Sequence, residues 1–204
     1  MSTGQMIEIL GRLRKNMNGE VTERMAAHGV EYALNYGVAI HTLKEIAKDY
    51  APNTKLARLL YSQQVRDLQI IACYTAAPED VTFQEEEFWR SALTTGEMAE
   101  QLSWLLARCT DNIRFVEEWL TDNNSQVRYC ALLTAAKMHS DVAAERVAEY
   151  VLKVDEMREV EIRVAATVLS THHNVQQVAE VINHIRQSNR LIHKQLNDEI
   201  YYDE

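Results

Sequence analysis

With 204 residues, 47% of them hydrophobic and 25% charged, the chain has the composition of a folded globular protein and length enough to bury a full core. A formal net charge of −9 speaks against non-specific attachment to nucleic acid by phosphate neutralisation. The acids are unevenly spread, however. Q-E-E-E-F and the tail N-D-E-I-Y-Y-D-E hold seven of them without a base, which leaves room for a local basic face elsewhere.

No apolar run approaches the roughly 20 residues of a membrane span, and M-S-T-G-Q-M-I-E-I-L lacks the layout of a secretory signal, so a cytoplasmic location is expected. Nearly everything reads as helix. Two short amphipathic segments, about 2–17 and 20–28, are separated by Asn18-Gly19. Gly29 and Gly37 bracket V-E-Y-A-L-N-Y, after which A-I-H-T-L-K-E-I-A-K-D-Y ends before Pro52. N-T-K-L-A-R-L-L-Y-S and V-R-D-L-Q-I-I-A-C-Y-T-A form an antiparallel pair, and 78–82 is a turn at Pro78. Four more helices are expected near 141–152, 157–172, 174–187 and 190–200. No alternation of β-branched residues competes, so the fold class is all-α.

The stretch from Thr94 to His139 organises the chain. Met98, Leu102, Leu105, Leu106 and Cys109 make one apolar stripe at helical spacing. Glu97, Glu100, Gln101, Trp104 and Arg108 run down another side, and two carboxylates beside a tryptophan and an arginine make that face the candidate site. A plainer role exists for Glu97, because Thr94-x-x-Glu97 has the spacing of a capping box. A tryptophan placed like Trp104 more often packs between neighbouring repeats than forms a ligand platform. Trp89 and Trp119 lie on apolar stripes and belong to the core, as do the scattered thiols Cys73, Cys109 and Cys130, which are expected to be reduced and buried. His and Cys show no ligand spacing, so neither a metal nor a cofactor is expected.

Internal repetition points to an array of helix pairs. Val65-Arg66, Val127-Arg128 and Ile162-Arg163 each lead into a run of small and large apolar residues. Arg128 and Arg163 stand 35 residues apart, and Arg66 and Arg128 stand 62 apart, about two such units. An arginine recurring in this way can simply bond a neighbouring loop or carboxylate. Residues 1–204 are expected to form one such domain, with 1–36 as an N-terminal helical cap.

N-Y-G-V-A-I-H-T-L-K-E-I-A-K-D-Y, L-A-R-L-L-Y-S and V-R-D-L-Q-I-I-A, followed in order by V-E-E-W-L and N-S-Q-V-R-Y-C-A-L-L, resemble the DNA alkylation repair (AlkD-like) family over roughly residues 30–170. The resemblance implies a curved HEAT-like α-α superhelix. It also implies excision of cationic alkylpurines such as 3-methyladenine and 7-methylguanine from duplex DNA. The family pattern is Trp-Asp-x-x-Asp at a central helix start, an arginine opening a later repeat, and a second tryptophan. Glu97 and Glu100 fall on the two acids and Arg128 on the arginine, whereas Gly96 and Thr167 stand where the tryptophans would be.

For excision the resemblance implies Glu100 and Glu97 as the catalytic carboxylates, stabilising an oxocarbenium-like sugar. Arg128, Arg163 and Trp104 would contact DNA, Trp104 supplying a substitute ring for the cationic base. Two other readings stay open: a non-catalytic relative that binds double-stranded DNA, and a protein-interaction scaffold.

Overall fold

The computed structural model describes residues 2–154, 156–187 and 191–200, the side chains of 197–200 excepted. The expected helix start at 190 and the acidic tail at 201–204 therefore lie outside the described residues. The chain divides into two compact units, residues 1–110 and 111–204. Among the described residues there is no strand, only an isolated parallel bridge between Leu34 and Val65. No helix of the described residues is long and apolar enough to cross a membrane.

The first unit holds α1 (Ser2–Lys15), α2 (Gly19–Ala27), α3 (Ile40–Lys48), α4 (Thr54–Tyr61), α5 (Arg66–Thr75), α6 (Glu86–Arg90) and α7 (Gly96–Leu106). Side chains of Asn18 and Asn53 accept from the amides of Val21 and Leu56, satisfying donors that the first turns of α2 and α4 would otherwise leave open. α5 is the hub: it pairs with α4 and packs against α3 on one side and α7 on the other. Leu43, Leu56, Leu60, Ile70, Ile71, Met98 and Leu102 close the space between them, each fully buried. Below α4, Tyr61 meets Phe88 and Trp89 with ring centroids 5.3 and 5.0 Å away, and its hydroxyl donates to the Trp89 carbonyl.

One segment departs from the helical expectation. Residues 30–38 run as a non-helical strap tied to Arg66 and Asp67 at the start of α5. Arg66 N–H donates to Leu34 O at 3.0 Å, while the buried Asp67 carboxylate accepts from the amides of Tyr36 (2.7 Å) and Val38 (3.0 Å). At the other edge Asn18 N–H donates to Tyr36 O at 2.9 Å. The approach there is so close that a side chain at Gly37 would sit 2.1 Å from the Asn18 oxygen, and the glycine also holds a φ of +68°.

The second unit holds α8 (Asn112–Leu120), α9 (Ser125–Met138), α10 (Asp141–Lys153), α11 (Glu159–Thr171), α12 (Gln176–Arg186) and α13 (Leu191–Ile200). Helix α11 packs between α9 and α13, and α10 packs between α8 and α12, so this unit is two layers of helices. Asn124 and Ser140 cap α9 and α10, and His139, left-handed at φ 48°, ends α9. Trp119 is core, edge-on to Phe115 at 5.0 Å.

Cys73, Cys109 and Cys130 are reduced and buried, as their apolar stripes imply. Burial pushes the Cys130 thiol up to about 12, where almost no thiolate forms at neutral pH. Native-state labelling with a thiol-specific disulfide reagent is therefore expected to be at least about a hundredfold slower than in denaturant. Rapid labelling of all three in the folded protein would contradict this packing.

Candidate functional site

Helix α7 begins one residue later than a Thr94 cap would require. Thr95, extended at φ −134° and ψ 156°, is the cap, and its hydroxyl accepts from Met98 N–H at 3.2 Å. Glu97 is thus the second helical residue, not the third, and the capping-box reading of Thr94 and Glu97 is corrected. Its carboxylate turns to α5 instead. Arg66 donates to it twice, Nε to Oε2 at 2.8 Å and Nη2 to Oε1 at 2.6 Å, in the fork geometry that guanidinium and carboxylate share. Tyr32 from the strap donates its hydroxyl to Glu97 Oε2 at 2.7 Å and lies 2.7 Å from Thr95 Oγ1.

The rest of Arg66, 3% exposed, is spent on Val38 O at 2.9 Å and Asp67 Oδ1 at 3.1 Å. Burial alone would raise the Glu97 carboxyl, but the bonds from Arg66 and Tyr32 outweigh it and hold the group below its ordinary value. Burial and the neighbouring Glu97 charge raise the Tyr32 phenol, which stays protonated and donating. Glu97 is the centre of a closed ionic network joining strap, α5 and α7.

The polar stripe of α7 divides. Gln101 points inward and accepts from Tyr74 O–H at 2.6 Å. Glu100, Trp104 and Arg108 face solvent, with Trp104 44% exposed. Arg108 Nε donates to the Trp104 carbonyl at 2.8 Å, which folds the guanidinium back along the helix. Tyr74 on α5 connects this stripe to α3, since Lys44 Nζ lies 5.0 Å from its ring centroid. Burial raises the Tyr74 phenol most; the charges of Cys73 and Glu100 add to that and Arg108 opposes it. Lys44, Tyr74, Glu100, Trp104 and Arg108 therefore share one face of the α3–α5–α7 layer.

In the second unit Arg128 is spent on structure. Its Nη1 donates to the carbonyls of Asp122 (2.9 Å) and Asn123 (3.1 Å), closing the end of α8, and its Nε faces Glu161 at 3.4 Å. Glu161, wholly buried, also accepts from Arg158 N–H at 2.8 Å. Arg128 borders an open cavity of about 560 Å³, where Arg146 is paired with Glu117 at 2.6 Å and Glu149 at 3.0 Å, and Asp122, Lys153 and Glu156 also line the wall. Arg163 is exposed on α11, 3.0 Å from Glu159, and Thr167, one turn on, is exposed beside it.

The structure thus brings Glu100 and Trp104 to one surface, turns Glu97 away into the protein, and leaves Arg128 and Arg163 in the other unit. Sequence reading missed Tyr32, Asp67, Arg158 and Glu161. Of these, Glu161 carried a signal, standing three residues after the cap of α11 as a capping-box acid does. Among the described residues no group of three or more His, Cys, Asp and Glu side chains is placed to hold a metal ion.

Comparison with curated proteins finds no match. Among solved structures, one described as "a new family of proteins related to the HEAT-like repeat DNA glycosylases with affinity for branched DNA structures" is similar, with a TM-score of 0.73 at 15% identity, covering 93% of this chain and 82% of the other. That likeness gives the fold: all-α, of the HEAT-like repeat kind. The model of the family described as DNA alkylation repair enzyme matches residues 9–166, well over half of the sequence. By that match the chain belongs to the DNA alkylation repair enzyme family.

Proposed function

We propose that this protein binds branched or distorted DNA through the exposed face of α3, α5 and α7, and that it does so without excising a base. The observation that carries this reading is the closure of Glu97 by Arg66 and Tyr32. A carboxylate that stabilises an oxocarbenium sugar must present uncompensated charge to it in a water-poor setting. Glu97 has already given its charge to a guanidinium. Glu100 stands exposed to water, where an ion pair at 4 Å gains only about 1 kcal/mol. Gly96 and Thr167, where family members carry tryptophan, offer a cationic base no ring.

What remains suits backbone recognition. Lys44 and Arg108 flank the α3–α5–α7 face, whereas Arg158 and Arg163 in the second unit are engaged by Glu161 and Glu159. Cations such as Lys44 and Arg108 hold phosphates without reading sequence. The similar solved protein, described as having affinity for branched DNA, supports the same substrate class.

The test pairs two measurements: binding of four-way junction and linear duplex across salt concentrations, and single-turnover release of 7-methylguanine from duplex. Junction binding is expected to be the tighter, with release no faster than the spontaneous rate. Lys44→Ala and Arg108→Ala should each lower the slope of log K against log salt by about 0.9. Release that Glu100→Gln abolishes would overturn the non-excising reading in favour of Glu100 catalysis. Failure to bind any DNA at low salt would leave a protein-interaction scaffold. Arg128→Ala should act mainly on stability, because its donors already hold the end of α8.

A further inference from the structure

We infer that Trp104 is a stacking platform for a single unpaired base at a DNA branch point, with Glu100 reading that base's edge and Arg108 and Lys44 holding the flanking phosphates. The inference rests on the DNA-binding reading above and names what that surface recognises.

Trp104 differs from the other two tryptophans. Trp89 is 0% exposed and Trp119 2%, whereas Trp104 leaves 44% of its surface to water. Its neighbours on the helix surface are charged, the surroundings of a nucleotide site rather than of an apolar contact. One turn C-terminal stands Arg108, anchored by its bond to the Trp104 carbonyl; one turn N-terminal stands Glu100; across the layer Lys44 lies over Tyr74. A ligand that matches a half-exposed indole next to cations is one that joins an aromatic ring to an anion. A nucleotide is such a ligand.

Physics then selects the kind of nucleotide. Inside a duplex both faces of every base are covered by its neighbours, so an indole on a protein surface cannot reach them. The faces are open only where the stack is broken, at a flap, gap or branch. Stacking itself is tolerant of sequence, because every base has a π-face. Glu100 adds a preference. Its carboxylate, neighbouring Trp104 on the helix surface, can accept two hydrogen bonds from the adjacent N1–H and N2–H of guanine, or one from an exocyclic amine of adenine or cytosine. Thymine offers one N–H between two carbonyl oxygens, which face the carboxylate unfavourably. The order expected is guanine first and thymine last.

The experiment uses the full-length protein and three-way junctions carrying one unpaired nucleotide at the branch: guanine, thymine or an abasic residue. Because Trp89 and Trp119 are buried, quenching by acrylamide reports Trp104. The guanine junction should quench Trp104 emission and shield it from acrylamide, and the abasic junction should do neither. Trp104→Ala should weaken binding of the guanine junction roughly ten- to a hundredfold while leaving the abasic junction within about twofold, and Trp104→Phe should retain most of the affinity. Glu100→Gln should shrink the guanine-over-thymine preference. If the wild-type protein binds all three junctions alike, without change in Trp104 emission, the platform is wrong although branched-DNA binding stands. If it binds none of them, the platform and the DNA-binding reading fall together. The abasic comparison needs no variant, so a folding defect in Trp104→Ala cannot mask the outcome.

Discussion

Replacing Arg66 with methionine is expected to cost about 3–5 kcal/mol of stability, the range for removing one partner of a buried ion pair. Methionine keeps the length and apolar body of the side chain, so the loss isolates the charge. It strands Glu97, which would lose two charge-assisted bonds, and Asp67, which is 0% exposed and would keep only the amides of Tyr36 and Val38. The pH dependence follows from the lowered Glu97 carboxyl. A carboxyl whose folded value lies below its unfolded value, about 4.3, contributes stability that is complete above the unfolded value. That contribution is lost as pH falls through the folded value. In urea unfolding, the gap between wild type and Glu97→Gln should therefore be widest near neutrality and narrow steadily below about pH 4. A gap that widens on acidification would show that the carboxylate is not what Arg66 holds.

A comparable loss is expected from Glu161→Ala in the second unit, again about 3–5 kcal/mol. Glu161 is 0% exposed and caps α11 through Arg158 N–H while facing the guanidinium groups of Arg128 and Arg158 at 3.4 and 3.5 Å. Alanine would leave both cations uncompensated and the cap amide unsatisfied. Glu161→Gln keeps an acceptor for that amide and should cost roughly half as much. Combining Arg128→Met with Glu161→Ala should cost less than the sum of the two single losses, because the uncompensated cation goes with it; a double loss equal to that sum would show that Arg128 acts apart from Glu161. Denaturant midpoints of wild type, the three single variants and the double variant decide the matter.

These networks mark where sequence reading reached its limit. Helix boundaries were legible where a local signal sets them, as with Asn18, Asn53, Asn124 and Ser140, each a cap whose partner amide lies two or three residues on. The strap at 30–38 carries no such signal, because its partners, Arg66 and Asp67, lie about thirty residues away. At Thr94-Thr95 two adjacent hydroxyls competed for one cap, and a single-residue shift turns Glu97 by about 100° around the helix axis. The shift decides whether Glu97 reaches back to its own cap or across to α5. The Val-Arg repeats were similar as strings but not in register: Arg66 opens α5, whereas Arg128 and Arg163 are the fourth and fifth residues of their helices. The outcome is three fates, one arginine buried in a network, one closing a helix end, and one in solvent. The surface of Glu100, Trp104 and Arg108 was visible as a stripe, but its division from Glu97 and Gln101 depends on what α5 presents to α7.

The strap also works as a ruler. Leu34, Tyr36 and Val38 are spaced two apart, and all three are gripped through their main chain, by Arg66 N–H, by Asn18 N–H with Asp67, and by Asp67 with Arg66. Contacts of that kind ignore side-chain identity and count residues. Over evolutionary time such a segment can drift in composition at Ala33 or Leu34 yet resist any change in length, since deleting one residue would turn every following carbonyl and amide to the opposite side. Between Gly29 and Glu31, where the ruler has not begun, an added residue should pass almost unnoticed. Melting temperatures of an Ala33 deletion and of a one-glycine insertion after Gly29 would measure the difference, the deletion falling far below the insertion.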